Sequence, residues 1–164
     1  MNTVAQEMQT GELKIGDKAP SFELPNQDGS TVTVKNFADK HMVIYFYPKD
    51  DTPGCTTEAK DFTALKNEFE AADTIVIGVS KDSVEKHTKF IAKHELGVEL
   101  LADEEGTLCE AYGVWVEKSM YGKKYMGIER STYLIDNEGI IREIWRKVKV
   151  KDHAKKVLEA AKAL

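Results

Sequence analysis

The stretch Met42-Val43-Ile44-Tyr45-Phe46-Tyr47-Pro48-Lys49-Asp50-Asp51-Thr52-Pro53-Gly54-Cys55-Thr56-Thr57-Glu58 decides the reading of this chain. Its opening run is apolar and aromatic without interruption, the composition of a strand buried on both faces. Pro48 ends the run. Thr52 then stands where a helix N-cap belongs, and Pro53 at the first helical position, where its fixed φ is already suited to the helix and its missing N–H costs nothing. Cys55 falls in the first turn of that helix, near unpaired backbone N–H groups and the positive end of the helix dipole, and both favour an anion. Such a cysteine is expected to ionise more readily than a free thiol with a pKa near ~8.5, and the thiolate is the nucleophilic form. Two roles are open to the Thr52 hydroxyl: capping the helix, or turning toward the Cys55 sulfur, since residues three apart at a helix start share a face. Read by position alone, Cys55 is as well explained as a small buried hydrophobe.

Working outward, strand-like and helix-like segments alternate, the pattern of an α/β layer fold with a mixed sheet. Phe22-Glu23-Leu24 and Thr31 to Val34 flank Asn26-Gln27-Asp28-Gly29-Ser30, which reads as a hairpin turn. A helix is expected from about Pro53 to Phe69, followed by a β-branched strand from Thr74 to Val79. Asp82 or Ser83 can cap a helix reaching about His94. A short strand near Val98 to Leu101 then precedes a helix from about Glu104 to Tyr112. Thr132 to Asp136 and Ile140 to Trp145 form a second hairpin across Asn137-Glu138-Gly139, and Asp152 caps a final amphipathic helix carrying Val157, Leu158 and Ala161. Val116 to Met126, rich in lysine, glycine and tyrosine, reads as a surface loop or an extended strand.

The 164 residues suffice for one core, so a single domain over 12–164 is expected, with 1–11 a short polar extension. The net charge is −5 and the basic residues are interspersed with acidic ones, which points away from nucleic acid and anionic membranes as partners. No run approaches the ~18 to 20 apolar residues of a membrane span, and the start lacks the apolar core of a secretory signal, so a cytoplasmic location is expected. The two cysteines speak against a disulfide framework. The four histidines show no metal-ligand spacing with them or with each other, so no metal site is expected. They read as surface or helix-packing residues.

Pro48, Thr52 and Cys55 stand in the Pro-x-x-x-Thr-x-x-Cys arrangement that marks peroxiredoxins. Tyr45-Phe46-Tyr47-Pro48-Lys49, Pro53-Gly54-Cys55-Thr56-Thr57-Glu58-Ala59, Tyr112-Gly113-Val114-Trp115, Tyr121-Gly122-Lys123 and Gly127-Ile128-Glu129-Arg130 resemble the bacterioferritin comigratory protein, or peroxiredoxin Q, subfamily over about residues 12 to 164. The resemblance implies a thioredoxin-like fold with a central mixed sheet, flanking helices and an added N-terminal β-hairpin. It implies a thiol peroxidase in which Cys55 attacks hydrogen peroxide or an organic hydroperoxide and becomes a sulfenic acid, with no cofactor. Thr52 and Arg130 would bind and polarise the peroxide, and Pro48 would shield the sulfur. Outside the resemblance, Arg130 reads as a solvated charge at a strand end.

One departure from the subfamily stands out. Five residues beyond Cys55, where many members carry a resolving cysteine, this chain has Lys60. Re-reduction by an external thiol such as thioredoxin, glutaredoxin or glutathione is therefore expected, and Cys109 is read as a structural cysteine. The alternatives are a two-cysteine mechanism with Cys109 as resolving residue, or a redox sensor or chaperone without turnover. A monomer is expected by analogy with the subfamily.

Overall fold

The computed structural model describes residues 12–164, so the expected extension over 1–11 lies outside the described residues. Its centre is a five-stranded sheet in the order β5-β4-β3-β8-β9. The strands are β3 (His41–Phe46), β4 (Thr74–Ser80), β5 (Glu99–Ala102), β8 (Ser131–Ile135) and β9 (Ile141–Trp145). β3 runs parallel to β4 and antiparallel to β8, with Ile44 opposite Ile77 on one side and Tyr133 on the other. The mixed sheet follows from the connections. Helical crossovers join β3 to β4 and β4 to β5, whereas the Asn137-Glu138-Gly139 turn joins β8 to β9 as a hairpin, with Gly139 at a φ of +84°.

Alternation along β3 assigns its side chains to two cores. Val43, Tyr45 and Tyr47 face one layer, which contains Cys55, Ala59, Phe62, Phe69, Phe90, Val157 and Leu158. These come from α1 (Pro53–Ala64), α2 (Lys66–Ala71), α3 (Val84–His94) and α5 (His153–Lys162). Met42, Ile44 and Phe46 face the other layer, with Phe22, Val32, Leu108, Cys109, Tyr112 and Ile128. That layer draws on the hairpin of β1 (Glu23–Pro25) and β2 (Thr31–Thr33), on α4 (Thr107–Ala111), and on the base of a second hairpin, β6 (Trp115–Met120) with β7 (Lys123–Ile128). Gly78 makes the first layer possible. A Cβ there would lie 2.7 Å from the Tyr45 ring and 2.8 Å from Leu100.

Several boundaries differ from the sequence reading for local reasons. The helix expected from Pro53 to Phe69 is two helices broken at Leu65. The Thr63 hydroxyl bonds back to the Ala59 carbonyl at 2.7 Å and receives the Gly97 N–H at 3.0 Å, and such back-bonding bends a helix. The helix expected from Glu104 starts only at Thr107, because the buried Asp103 carboxylate accepts the Leu108 and Cys109 N–H groups and fixes the first turn there. Asp152 occupies the N-cap of α5 without making a side-chain cap bond; its φ is +61°. Ser83 does cap α3, accepting from Lys86 N at 3.2 Å. Among the described residues no helix is long and apolar enough to cross a membrane.

Candidate active site

The site is assembled at the end of β3, where the loop from Pro48 to Thr52 hands the chain to α1. Pro48 and Lys49 are exposed. Pro53 takes the first position of α1, and Thr52 is its N-cap by backbone geometry, with its carbonyl accepting from Thr56 N at 2.8 Å. The Thr52 hydroxyl does not cap the helix. It donates to the Lys49 carbonyl at 2.9 Å, so its oxygen is left with acceptor lone pairs only.

Cys55 is 2% exposed, on the inner face of α1. Arg130 follows β7 and reaches it across the fold: its Nη2–H donates to the Cys55 Sγ at 3.3 Å. Its Nη1–H donates to Glu58 Oε1 at 2.6 Å. The guanidinium fork thus bridges two residues one helical turn apart and sets a fixed positive charge and an N–H donor against the sulfur. The Arg130 side chain is only 17% exposed, so it is no solvated strand-end charge. Its backbone is pinned by Val148 N donating to Arg130 O at 3.0 Å. Gly54 completes the contact, since a Cβ there would stand 3.2 Å from Arg130 Nη2.

Glu58 was not singled out by sequence, although a signal was present: an acidic residue on the helix face that carries Cys55, Ala59 and Phe62. It is 1% exposed, and its Oε2 has no hydrogen-bond partner among the described residues. Burial pushes its carboxyl up to about 7, against the pull of Arg130. The Tyr45 hydroxyl is likewise buried and without a partner among the described residues, and burial followed by the charge of Glu58 raises it well above the ordinary phenol range.

A second buried network holds the loop from below. Tyr47 donates to Asp50 Oδ1 at 2.5 Å, and His87 Nδ1 meets Asp50 Oδ2 at 2.6 Å. His87 Nε2 lies 2.9 Å from the Leu101 carbonyl and must donate to it, while a further proton lies between Nδ1 and Oδ2, because two lone pairs do not approach so closely. Asp50 N donates to Asp82 Oδ2 at 2.8 Å. The next loop residue, Asp51, pairs at 2.8 Å with both Lys93 and His94. α3 therefore grips the loop at two successive aspartates. His87 is fully buried and bonded at both nitrogens, more than the packing role its position in the sequence suggested.

Cys109 lies elsewhere. It is 0% exposed and belongs to the layer on the far side of the central sheet from Cys55. Burial, and then the neighbouring Asp103, push its thiol well up, the opposite of what a nucleophile needs. A surface cleft of ≈ 480 Å³ has Lys40, Lys66, Phe69, Thr74 and Val98 among its lining residues, at the opening ends of β3 and β4, and does not touch Cys55. Among the described residues no group of three His, Cys, Asp or Glu side chains could hold a metal ion.

The sequence profile of the AhpC/TSA family matches residues 15–144. The chain belongs to this peroxiredoxin family. Peroxiredoxin Bcp of Bacillus subtilis is 53% identical over 150 residues, covering 92% of this chain and 96% of that protein. Peroxiredoxin Bcp of Escherichia coli is 43% identical, covering 89% and 94%. The solved peroxiredoxin Q of Xanthomonas campestris superposes with a TM-score of 0.83 at 49% identity, covering 87% of this chain and 90% of that one. A cysteine variant of the Xylella fastidiosa protein gives 0.88 at 40% identity, covering 93% and 98%. A further structure of the Xanthomonas bacterioferritin comigratory protein is described in terms of its alkyl peroxide reduction activity. The thioredoxin-like fold with an N-terminal hairpin is thus shared with solved members of the subfamily. This peroxiredoxin is a thiol peroxidase, an oxidoreductase that takes a peroxide and a thiol reductant.

Proposed function

We propose that Cys55 is the peroxide-reducing residue, that Arg130, Thr52 and Pro48 form its peroxide site, and that an external thiol returns it to the reduced state. The 3.3 Å contact between Arg130 Nη2 and Cys55 Sγ carries this reading. The thiolate attacks the terminal peroxide oxygen, an S–O bond forms as the O–O bond breaks, and the departing oxygen leaves as water or an alcohol once protonated. Cys55 becomes a sulfenic acid. Arg130 steadies the negative charge as it moves from sulfur to the leaving oxygen. Thr52 Oγ1, its own hydrogen committed to Lys49, accepts the peroxide O–H. Pro48, at the mouth of the loop, limits water around the sulfur. Hydrogen peroxide and organic hydroperoxides both fit this chemistry.

Re-reduction by an outside thiol is supported by Lys60 in α1 and by the position of Cys109 across the sheet. We take residues 12–164 as one domain acting as a monomer. Two unpaired cysteines fit a reducing compartment such as the cytoplasm. The test is intact-protein mass spectrometry after one equivalent of hydrogen peroxide, with a thiol-blocking reagent, on the wild type and Cys109→Ser. A sulfenic acid on Cys55 in both proteins is expected. Loss of two hydrogens in the wild type alone would show that Cys109 resolves Cys55, and an unreacted Cys55 would remove the assignment.

A further inference from the structure

Six large apolar side chains stay well exposed among the described residues, and four of them sit on the β6–β7 hairpin: Met120 (56%), Tyr121 (98%), Tyr125 (44%) and Met126 (49%). Clustering of this kind marks a contact surface, whereas single exposed apolar residues do not. The hairpin also carries Lys118, Lys123 and Lys124 against one acid, Glu117, in a chain of net charge −5. It is anchored at its base, where Ile128 is buried and the Lys81 ammonium sits 4.0 Å over the Trp115 ring. At its tip Tyr121 and Gly122 turn the chain at positive φ, in solvent.

The register shows which side chains share a face. Val116 pairs with Gly127, Lys118 with Tyr125, and Met120 with Lys123. One face therefore presents Lys118, Met120, Lys123 and Tyr125 together. Lys118 lies flat across Gly127, whose Cβ would stand 3.2 Å from its Cδ. The strand that carries Lys123 and Tyr125 of this face leads directly into Arg130, whose Nη2 lies 3.3 Å from the Cys55 Sγ, so the hairpin adjoins the sulfur. β7 itself ends two residues before Arg130.

We propose that this face of β6–β7, with Tyr121 at its tip, is the docking surface for an acidic dithiol protein that reduces oxidised Cys55. The inference rests on the peroxidase reading above and names its reductant class. A small thiol needs no broad surface of aromatic, methionine and lysine side chains; a protein bringing an apolar, acid-rimmed thiol does. The partner's thiolate attacks the sulfenic sulfur, the S–S bond forms, and the S–O bond breaks with loss of water after protonation. The partner's second thiol then attacks its own sulfur in the mixed disulfide. Cys55 leaves as thiolate, and the partner departs as a disulfide, oxidised by two electrons.

The experiment compares wild type, Lys123→Glu and the double variant Tyr121→Ser/Tyr125→Ser. Cys55 oxidation by hydrogen peroxide is followed in stopped flow, and turnover is supported either by a bacterial thioredoxin with its reductase or by dithiothreitol. The expected result is a loss of about tenfold or more in kcat/KM for thioredoxin in each variant, with peroxide oxidation and dithiothreitol turnover unchanged. The wild-type thioredoxin rate should also fall with added salt, and that of Lys123→Glu should not. Unchanged thioredoxin rates in the variants would overturn the proposal, as would a wild type turned over by dithiothreitol but not by thioredoxin. Slower peroxide oxidation in the variants would assign the face to substrate instead. A wild-type dimer in sedimentation that the tyrosine variant dissociates would assign it to a second copy of this chain. Failure of wild-type Cys55 to react with peroxide at all would remove the underlying reading, an outcome distinct from these.

Discussion

Replacing Glu58 with glutamine tests the electrostatics beneath Cys55. A carboxyl titrating at about 7 in the folded protein instead of 4.5 holds a proton that the unfolded chain releases. Its contribution to stability is complete below pH 4.5 and is lost as the pH rises through about 7. At about 1.36 kcal/mol per pH unit of displacement, the loss is about 3 kcal/mol, and with Glu58 1% exposed there is little solvent to screen it. Glutamine keeps the shape and the oxygen that accepts from Arg130 Nη1, so its cost is the same at every pH and drops out of the comparison. Urea unfolding of the reduced proteins between pH 4.5 and 8 is the assay. The wild type should lose about 3 kcal/mol more than Glu58→Gln across that range. Parallel curves would refute the reasoning, and would mean that Arg130 keeps Glu58 ionised throughout.

His153 should act with the opposite sign: burial, with Lys156 and Arg130 nearby, holds it down to about 4, so stability falls as the pH drops from 6.5 through 4, and His153→Asn should flatten that acid limb in the same urea series. His87→Ala should cost about 3–5 kcal/mol in urea unfolding, because it leaves Oδ2 of the buried Asp50 without its imidazole partner, with only the Tyr47 hydroxyl still bonded to that carboxyl group. Gly54→Ala should separate stability from activity. Alanine is the better helix former, yet its Cβ at 3.2 Å crowds the Arg130 Nη2 that donates to the sulfur, so peroxide consumption should slow while the urea midpoint holds or rises.

The sheet, the crossovers and both turn-closed hairpins flanking the central strands were legible in sequence, because their signals are local. Met42 to Tyr47 is unbroken and apolar, and Asn137-Glu138-Gly139 is a turn wherever it is placed. What failed was local structure decided from a distance. Thr63 breaks its helix while receiving a hydrogen bond from Gly97, and Asp103 starts α4 four residues downstream of itself. The site divides along the same line. Cys55, Thr52 and Pro53 share one segment and could be read together, whereas Arg130 stood apart by 75 positions and only the family resemblance brought it in. Glu58 was in plain view but needed Arg130 to have a purpose. His87 was a helix residue until the fold set Asp50 against it.

The pH behaviour of the two buried groups explains why single variants are needed to see either. Between pH 4.5 and 6.5, acidification adds stability through Glu58 and removes it through His153, so a wild-type stability curve can be nearly level while both terms are large. Both groups belong to the layer that contains Cys55, and both feel Arg130. That guanidinium is therefore the common element: it bonds Glu58 and the sulfur directly, and its charge helps keep His153 neutral. As Glu58 gives up its proton near pH 7, part of the guanidinium's charge is drawn from the sulfur to the carboxylate. Peroxide reactivity in Glu58→Gln should accordingly lose a pH dependence near 7 that the wild type shows, and the same dependence in both proteins would separate Glu58 from the chemistry of Cys55.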